Sequence, residues 1–116
     1  MKWIRVTYAE NIPVRQGRSV KIGSYAVAIF NLGDAFRTVE NSCPHRNGPL
    51  ADGIVAGNDV VCPLHNWRFS LASGELRNQP GELACVRTFE TKVVDGVVMV
   101  RLPEDSENLR FALAAS

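Results

Sequence analysis

The sequence predicts an all-β protein, in which an antiparallel β-sheet base carries an inserted, loop-rich subdomain. Short segments with alternating apolar residues dominate both ends of the chain, as expected of half-buried strands. No 11-residue window shows a convincing helical repeat of apolar residues. Residues 41–82 contain four prolines and five glycines, a density that interrupts long elements and produces loops.

The first half of the base is predicted from three segments. In "WIRVTY" the side chains of Ile4, Val6 and Tyr8 would share one face of a strand, opposite Arg5 and Thr7. One helical turn in "YAENIP" would end at a proline. The run "YAVAIF" then predicts a more deeply buried strand, which a tight turn in "NLGD" joins to a strand in "AFRTVE".

The strongest local signal is the segment "TKVVDGVVMVRL". Asp95-Gly96 lies between two β-branched runs and is a preferred two-residue hairpin turn. We therefore expect one domain over residues 1–103 and a C-terminal tail over 104–116, which is either a short helix or frayed chain.

Composition excludes several classes of function. The chain has 116 residues, a hydrophobic fraction of 46% and a formal net charge of +1, so it gives no electrostatic reason to expect nucleic acid or an anionic membrane as partner. It shows neither a signal-peptide apolar region nor an apolar run of the ~20 residues that a membrane helix needs. The odd number of cysteines, three, argues against a disulfide framework. The expectation is a soluble cytoplasmic protein.

Four potential metal ligands fall within one 23-residue window: Cys43, His45, Cys62 and His65. Their spacing is Cys-x-His, sixteen residues, then Cys-x-x-His. A chance grouping is the weakest explanation, because the same pair of residue types recurs in both halves. A structural zinc site is a second explanation, although zinc sites usually separate paired ligands by two to four residues. A third is a [2Fe–2S] cluster in which two thiolates hold one iron and two imidazoles hold the other.

The segments "CPH" and "CPLHNW" resemble the Rieske motif, and the resemblance extends from "KWIRV" to "DGVVMVRL". It implies that Cys43 and Cys62 bind the inner iron of a Rieske [2Fe–2S] cluster, and that His45 and His65 bind the outer iron near the surface. Pro80 matches the family's proline-containing third loop. Gly48 and Leu64 stand where high-potential members carry a disulfide, and Asn66 stands where they carry a serine. Fewer hydrogen bonds to the cluster predict a potential in the lower part of the Rieske range.

The resemblance implies an electron carrier, with no complete active site on this chain. Both histidines are committed to the cluster, so none remains for a mononuclear iron or a nucleophile pair. The segments "NGPLADGIV" and "CPLHNW" look most like the small subunit of assimilatory NAD(P)H-dependent nitrite reductase, whose large subunit reduces nitrite to ammonia. The alternative is a free Rieske-type ferredoxin of a ring-hydroxylating dioxygenase system, and a zinc-stapled interaction module comes third.

Predictions also follow for five further residues. Cys85 lies in "ELACVRTF", a predicted strand, and is expected to be a small buried hydrophobe. Trp67 is expected to pack beneath the second loop, and the alternative is that it forms part of a docking surface. A partner that receives electrons through the outer iron would touch the surface near Arg46, Asn47 and Asn66.

Overall fold

A computed structural model describes residues 2–44, 48–64, 66–82 and 84–103. Within these ranges the chain forms ten short strands and two single turns of 3₁₀ helix, Ala9–Asn11 and Leu50–Asp52. The strands are β1 (Lys2–Tyr8), β2 (Gly17–Ile22), β3 (Tyr25–Asn31), β4 (Phe36–Glu40), β5 (Ile54–Ala56), β6 (Asp59–Val61), β7 (Arg68–Ser70), β8 (Thr88–Phe89), β9 (Thr91–Val94) and β10 (Val97–Leu102). The predicted all-β fold is confirmed, and the predicted helical turn before Pro13 is the first 3₁₀ turn. The predicted tail, 104–116, lies outside the described residues.

All strand pairs are antiparallel and form three sheets. Two sheets make the base, with strand orders β1-β10-β9 and β2-β3-β4-β8. The third sheet, β5-β6-β7, is built from the proline- and glycine-rich middle of the chain. Its three-residue strands are as short as that composition predicts.

Strand β3 supplies side chains to two hydrophobic cores. Val27 and Ile29 pack in one core with residues of β10, whereas Ala28 and Phe30 pack in the other with residues of the middle segment. Because successive side chains of a strand point to opposite faces, a strand that is covered on both faces must be apolar throughout. This explains why the run "YAVAIF" is continuously apolar. Through its two faces, strand β3 packs against both the base and the subdomain.

The alternation predicted for β1 holds only for its first half. Arg5 pairs with Met99 and Thr7 pairs with Val98, so Val6 is the extra residue of a β-bulge. The bulge shifts the later residues to the opposite faces. Tyr8, predicted to lie on the same face as Ile4 and Val6, is therefore 59% exposed, and that part of the prediction is wrong.

The hairpin predicted at Asp95-Gly96 is present. Val94 pairs with Val97 across the turn, and both turn residues have positive φ values, 51° for Asp95 and 79° for Gly96. These are the angles of a type I′ turn, whose twist matches that of the flanking strands. Among the described residues there is no helix long and apolar enough to cross a lipid bilayer.

Candidate metal centre

Cys43 lies in a short loop that follows β4. Its backbone N–H donates a hydrogen bond to the carbonyl of Gly48 at 2.9 Å, which closes the loop on itself. The base of this loop is held by Asn41, whose Oδ1 accepts a hydrogen bond of 2.8 Å from the backbone of Ala51. The side chain of Cys43 is fully buried.

Cys62 begins an equivalent loop, directly after β6. Its backbone N–H donates to the carbonyl of Trp67 at 2.7 Å, which joins the two ends of the loop. The backbone N–H of Leu64 donates to Cys62 Sγ at 3.4 Å. Such a donor stabilises a sulfur that carries negative charge, as an iron-bound thiolate does.

The structure brings Cys43 and Cys62 together inside the first core. Both side chains are fully buried. Burial raises the pKa of the Cys62 thiol; the Leu64 N–H acts in the opposite direction, and the adjacent Cys43 thiol adds to the increase. Gly48 lies against them, since a Cβ at this residue would be 3.0 Å from Cys62 Sγ. Two adjacent thiols without a disulfide suit a metal that binds thiolates.

His45 and His65 lie outside the described residues, as do Arg46 and Asn47. Gly48 and Leu64, the two positions compared above with a disulfide of high-potential members, are neighbours here. A Cβ at Gly48 would be 3.1 Å from Leu64 Cδ1. Trp67 is half-buried, packs against the first core and has its ring centroid 6.4 Å from that of Phe69, so the packing role predicted for it is confirmed.

A third loop, residues 78–82, lies beside the second cysteine loop. Pro80 is exposed, and Gly81 adopts a φ of 89° in the turn. Asn78 joins the two loops: its Nδ2 donates to the carbonyl of Asn66 at 3.0 Å, and its Oδ1 accepts from the backbone of Arg68 at 2.9 Å. Pro80 indicated this loop in the sequence, whereas no sequence pattern pointed to Asn78.

Ion pairs between one buried carboxylate and two partly exposed arginines support the same region and were not predicted from the sequence. Asp59, at the start of β6, is 8% exposed and accepts a 2.7 Å hydrogen bond from Arg68 Nε. Arg77 Nε lies 3.7 Å from the same carboxylate oxygen. In sequence these are three ordinary charged residues; the pairing of β6 with β7 brings Arg68 to Asp59, and a backbone hydrogen bond from the Arg77 N–H to the Arg68 carbonyl places Arg77 beside them.

The prediction for Cys85 is wrong. Cys85 forms an isolated β-bridge with Glu75 and is not part of a strand, and the residue is exposed. The neighbouring Val86 is buried instead, so the apolar neighbours in "ELACVRTF" identified a buried position one residue too early.

Comparison with known proteins agrees with this geometry. A family model of the Rieske [2Fe-2S] domain matches residues 2–90. Ferredoxin CarAc of Metapseudomonas resinovorans is 28% identical over 99 residues, which cover 84% of this chain and 92% of that protein. The ferredoxin component of the naphthalene 1,2-dioxygenase/salicylate 5-hydroxylase systems of a Ralstonia species is 25% identical over 100 residues, covering 86% and 95%.

Solved structures give the same fold. A chain from the complex of reduced oxygenase and oxidized ferredoxin in carbazole 1,9a-dioxygenase superposes with a TM-score of 0.76 at 26% identity, covering 84% of this chain and all of that one. A Mycobacterium tuberculosis chain assigned as an NADH-dependent nitrite reductase small subunit superposes with a TM-score of 0.79 at 23% identity, covering 88% and 96%. At that identity the likeness concerns the fold alone. With the family match spanning most of its length, this chain belongs to the Rieske family, whose domain carries a [2Fe–2S] cluster.

Proposed function

We propose that this protein transfers single electrons through a Rieske cluster held by Cys43 and Cys62 on one iron and by His45 and His65 on the other. The observation that carries the proposal is the pair of adjacent, fully buried cysteines that are not joined in a disulfide. The Leu64 N–H donor to Cys62 Sγ supports it further, because it favours the thiolate form that binds iron.

The ligand set determines the charge of the cluster and hence its potential. Two ferric ions, two sulfides and two thiolates sum to zero, so the reduced cluster carries a charge of −1 if the imidazoles are neutral. Four thiolates would give −2 and −3, and adding an electron would be harder. Gly48 and Leu64 form no disulfide, and Asn66 has no hydroxyl to donate, so we place the potential in the lower part of the Rieske range.

For the physiological role we propose the small subunit of assimilatory NAD(P)H-dependent nitrite reductase, in the cytoplasm. The support is the resemblance carried by "NGPLADGIV" and "CPLHNW". A second role, a free ferredoxin for a ring-hydroxylating dioxygenase, is favoured by the two curated ferredoxin relatives, because this chain covers 92% and 95% of their lengths. The two roles require different redox partners.

Electron paramagnetic resonance, with iron and zinc quantified on the same sample, tests the cluster. We expect two irons per chain and a signal that appears on reduction with dithionite, with an average g value below that of all-cysteine clusters. A Cys62→Ser variant is the control and should lose the signal. A silent wild-type sample with one zinc per chain would overturn the proposal in favour of a structural zinc site.

Reconstitution with candidate partners tests the role. The loaded protein is mixed with a siroheme-bearing nitrite reductase large subunit and NAD(P)H, and separately with a ring-hydroxylating oxygenase and its reductase. We expect nitrite-dependent NAD(P)H oxidation to rise on addition of the wild-type protein but not of Cys62→Ser. Oxygenase turnover in the second mixture, without stimulation in the first, would assign the ferredoxin role.

A further inference from the structure

One exposed side chain, Asn78, holds the backbone on the far side of the second cysteine loop. Its two hydrogen bonds, to the carbonyl of Asn66 and from the N–H of Arg68, span three consecutive residues of that loop's end. The partners also fix the orientation of the amide, since a carbonyl can only accept and a backbone N–H can only donate. Both functional groups of Asn78 are therefore in use.

The segment that Asn78 holds runs from an exposed residue in an uncommon backbone conformation to the first residue of β7. Asn66 is exposed and has a φ of 59°, in the left-handed region, which asparagine adopts more often than most non-glycine residues do. The Cys62 N–H donates to the carbonyl of Trp67 within the loop, whereas Asn78 donates to the carbonyl of Asn66 from the neighbouring third loop. Asp59 fixes the side chain of Arg68 but forms no hydrogen bond with the 63–66 backbone among the described residues.

We propose that Asn78 is a positioning residue for the cluster, which acts by fixing the backbone that directly follows His65. This inference rests on the proposed function, in which His65 is an iron ligand. Without the two hydrogen bonds of Asn78, the backbone from Asn66 to Arg68 moves away more often and admits water to the cluster. Water stabilises the reduced cluster, with its charge of −1, more than the neutral oxidised cluster, so opening of the loop raises the potential.

The test compares Asn78→Ala with Asn58→Ala, both measured on the full chain loaded with its cluster. Asn58 is a matched control because it is exposed, belongs to the same subdomain and makes no side-chain hydrogen bond with another described residue. We expect Asn78→Ala to release iron to a chelator about tenfold faster than wild type and to have a higher midpoint potential. Asn58→Ala should match wild type in both measurements.

Hydrogen exchange at the Arg68 amide measures the hydrogen bond to Asn78 Oδ1 independently of the cluster. Asn78→Ala should remove its protection, whereas Asn78→Asp should keep it, because a carboxylate still accepts from that N–H. If Asn78→Ala keeps the wild-type potential and iron-release rate, the inference is wrong. A lower melting temperature with no change in those two quantities would show that Asn78 supports the fold and not the cluster. Failure of the wild-type protein to bind a cluster would instead overturn the proposed function.

Discussion

Replacement of Gly48 with alanine should disturb the metal centre directly. Gly48 is buried, and a Cβ added to it would be 3.0 Å from Cys62 Sγ, 3.1 Å from Leu64 Cδ1 and 3.2 Å from Leu64 Cγ. Cys62 has no exposed area and cannot withdraw, whereas Leu64 is 41% exposed and can rotate away. The overlap therefore falls mainly on the sulfur ligand.

The structure allows the size of the effect to be bounded. Overpacking of a buried position costs about 1–3 kcal/mol, and the mobility of Leu64 places Gly48→Ala near the lower end. A destabilisation of about 1.4 kcal/mol in the cluster-bound state corresponds to roughly tenfold faster loss of the cluster. The Gly48 carbonyl also accepts the Cys43 N–H, so any displacement of Gly48 reaches both cysteine loops.

The assay follows the loss of visible absorbance of the loaded protein in excess chelator, together with urea unfolding. Gly57→Ala is the control: Gly57 has a φ of 61° with no atom within 4 Å of an added Cβ, so alanine there introduces backbone strain without a contact. It should lower stability but leave the rate of cluster loss unchanged. Adding Leu64→Ala to Gly48→Ala should restore only a small part of the retention, because it relieves the contacts with Leu64 and leaves the contact with Cys62 Sγ. Wild-type retention in Gly48→Ala, or equal losses in Gly48→Ala and Gly57→Ala, would refute the reasoning.

Four other predictions test separate parts of the structure. His65→Cys should lower the midpoint potential by more than about 100 mV in a redox titration, because a third thiolate adds negative charge; an unchanged or raised potential in an intact variant would contradict its assignment as a ligand. Gly96→Ala should lower the free energy of unfolding by about 1 kcal/mol in urea without changing the potential, because alanine is strained at a φ of 79°; equal stability would argue against the type I′ turn. Asp59→Ala should lower the free energy of unfolding by about 2 kcal/mol. It removes the charge-assisted hydrogen bond that Arg68 Nε donates to Asp59, and leaves the guanidinium with a weaker hydrogen bond to a backbone carbonyl. A loss below about 0.5 kcal/mol would count against this account. A thiol reagent should modify one cysteine per loaded chain rapidly, since Cys85 is exposed while the other two are buried, and Cys85→Ser should abolish that reaction and retain the cluster.

The sequence predicts the features that depend on local chemistry. Period-two alternation and the Asp95-Gly96 turn predict strands and their hairpin, because a strand's side-chain period and a turn's φ angles are properties of a few adjacent residues. The density of proline and glycine in residues 41–82 predicts a subdomain of loops and very short strands. The spacing of Cys43 and Cys62 predicts that two distant thiols serve one site, and the structure places them together in the core.

Other features exist only because strands pair over long distances. The bulge at Val6 depends on how β1 aligns with β10, so the exposure of Tyr8 could not be predicted from alternation. Cys85 lies in an isolated bridge to Glu75 and not in a strand, an arrangement that its apolar neighbours in the sequence do not reveal. The sequence by itself indicated the proposed ligands, their spacing and the family, since all three are read from one short motif. Only the tertiary structure decided which side chains support the two cysteine loops, chiefly Asn78 and Asp59. Their hydrogen bonds join residues nine to twelve positions apart. Such bonds follow from the packing of loops and strands, so they produce no periodic pattern in the sequence.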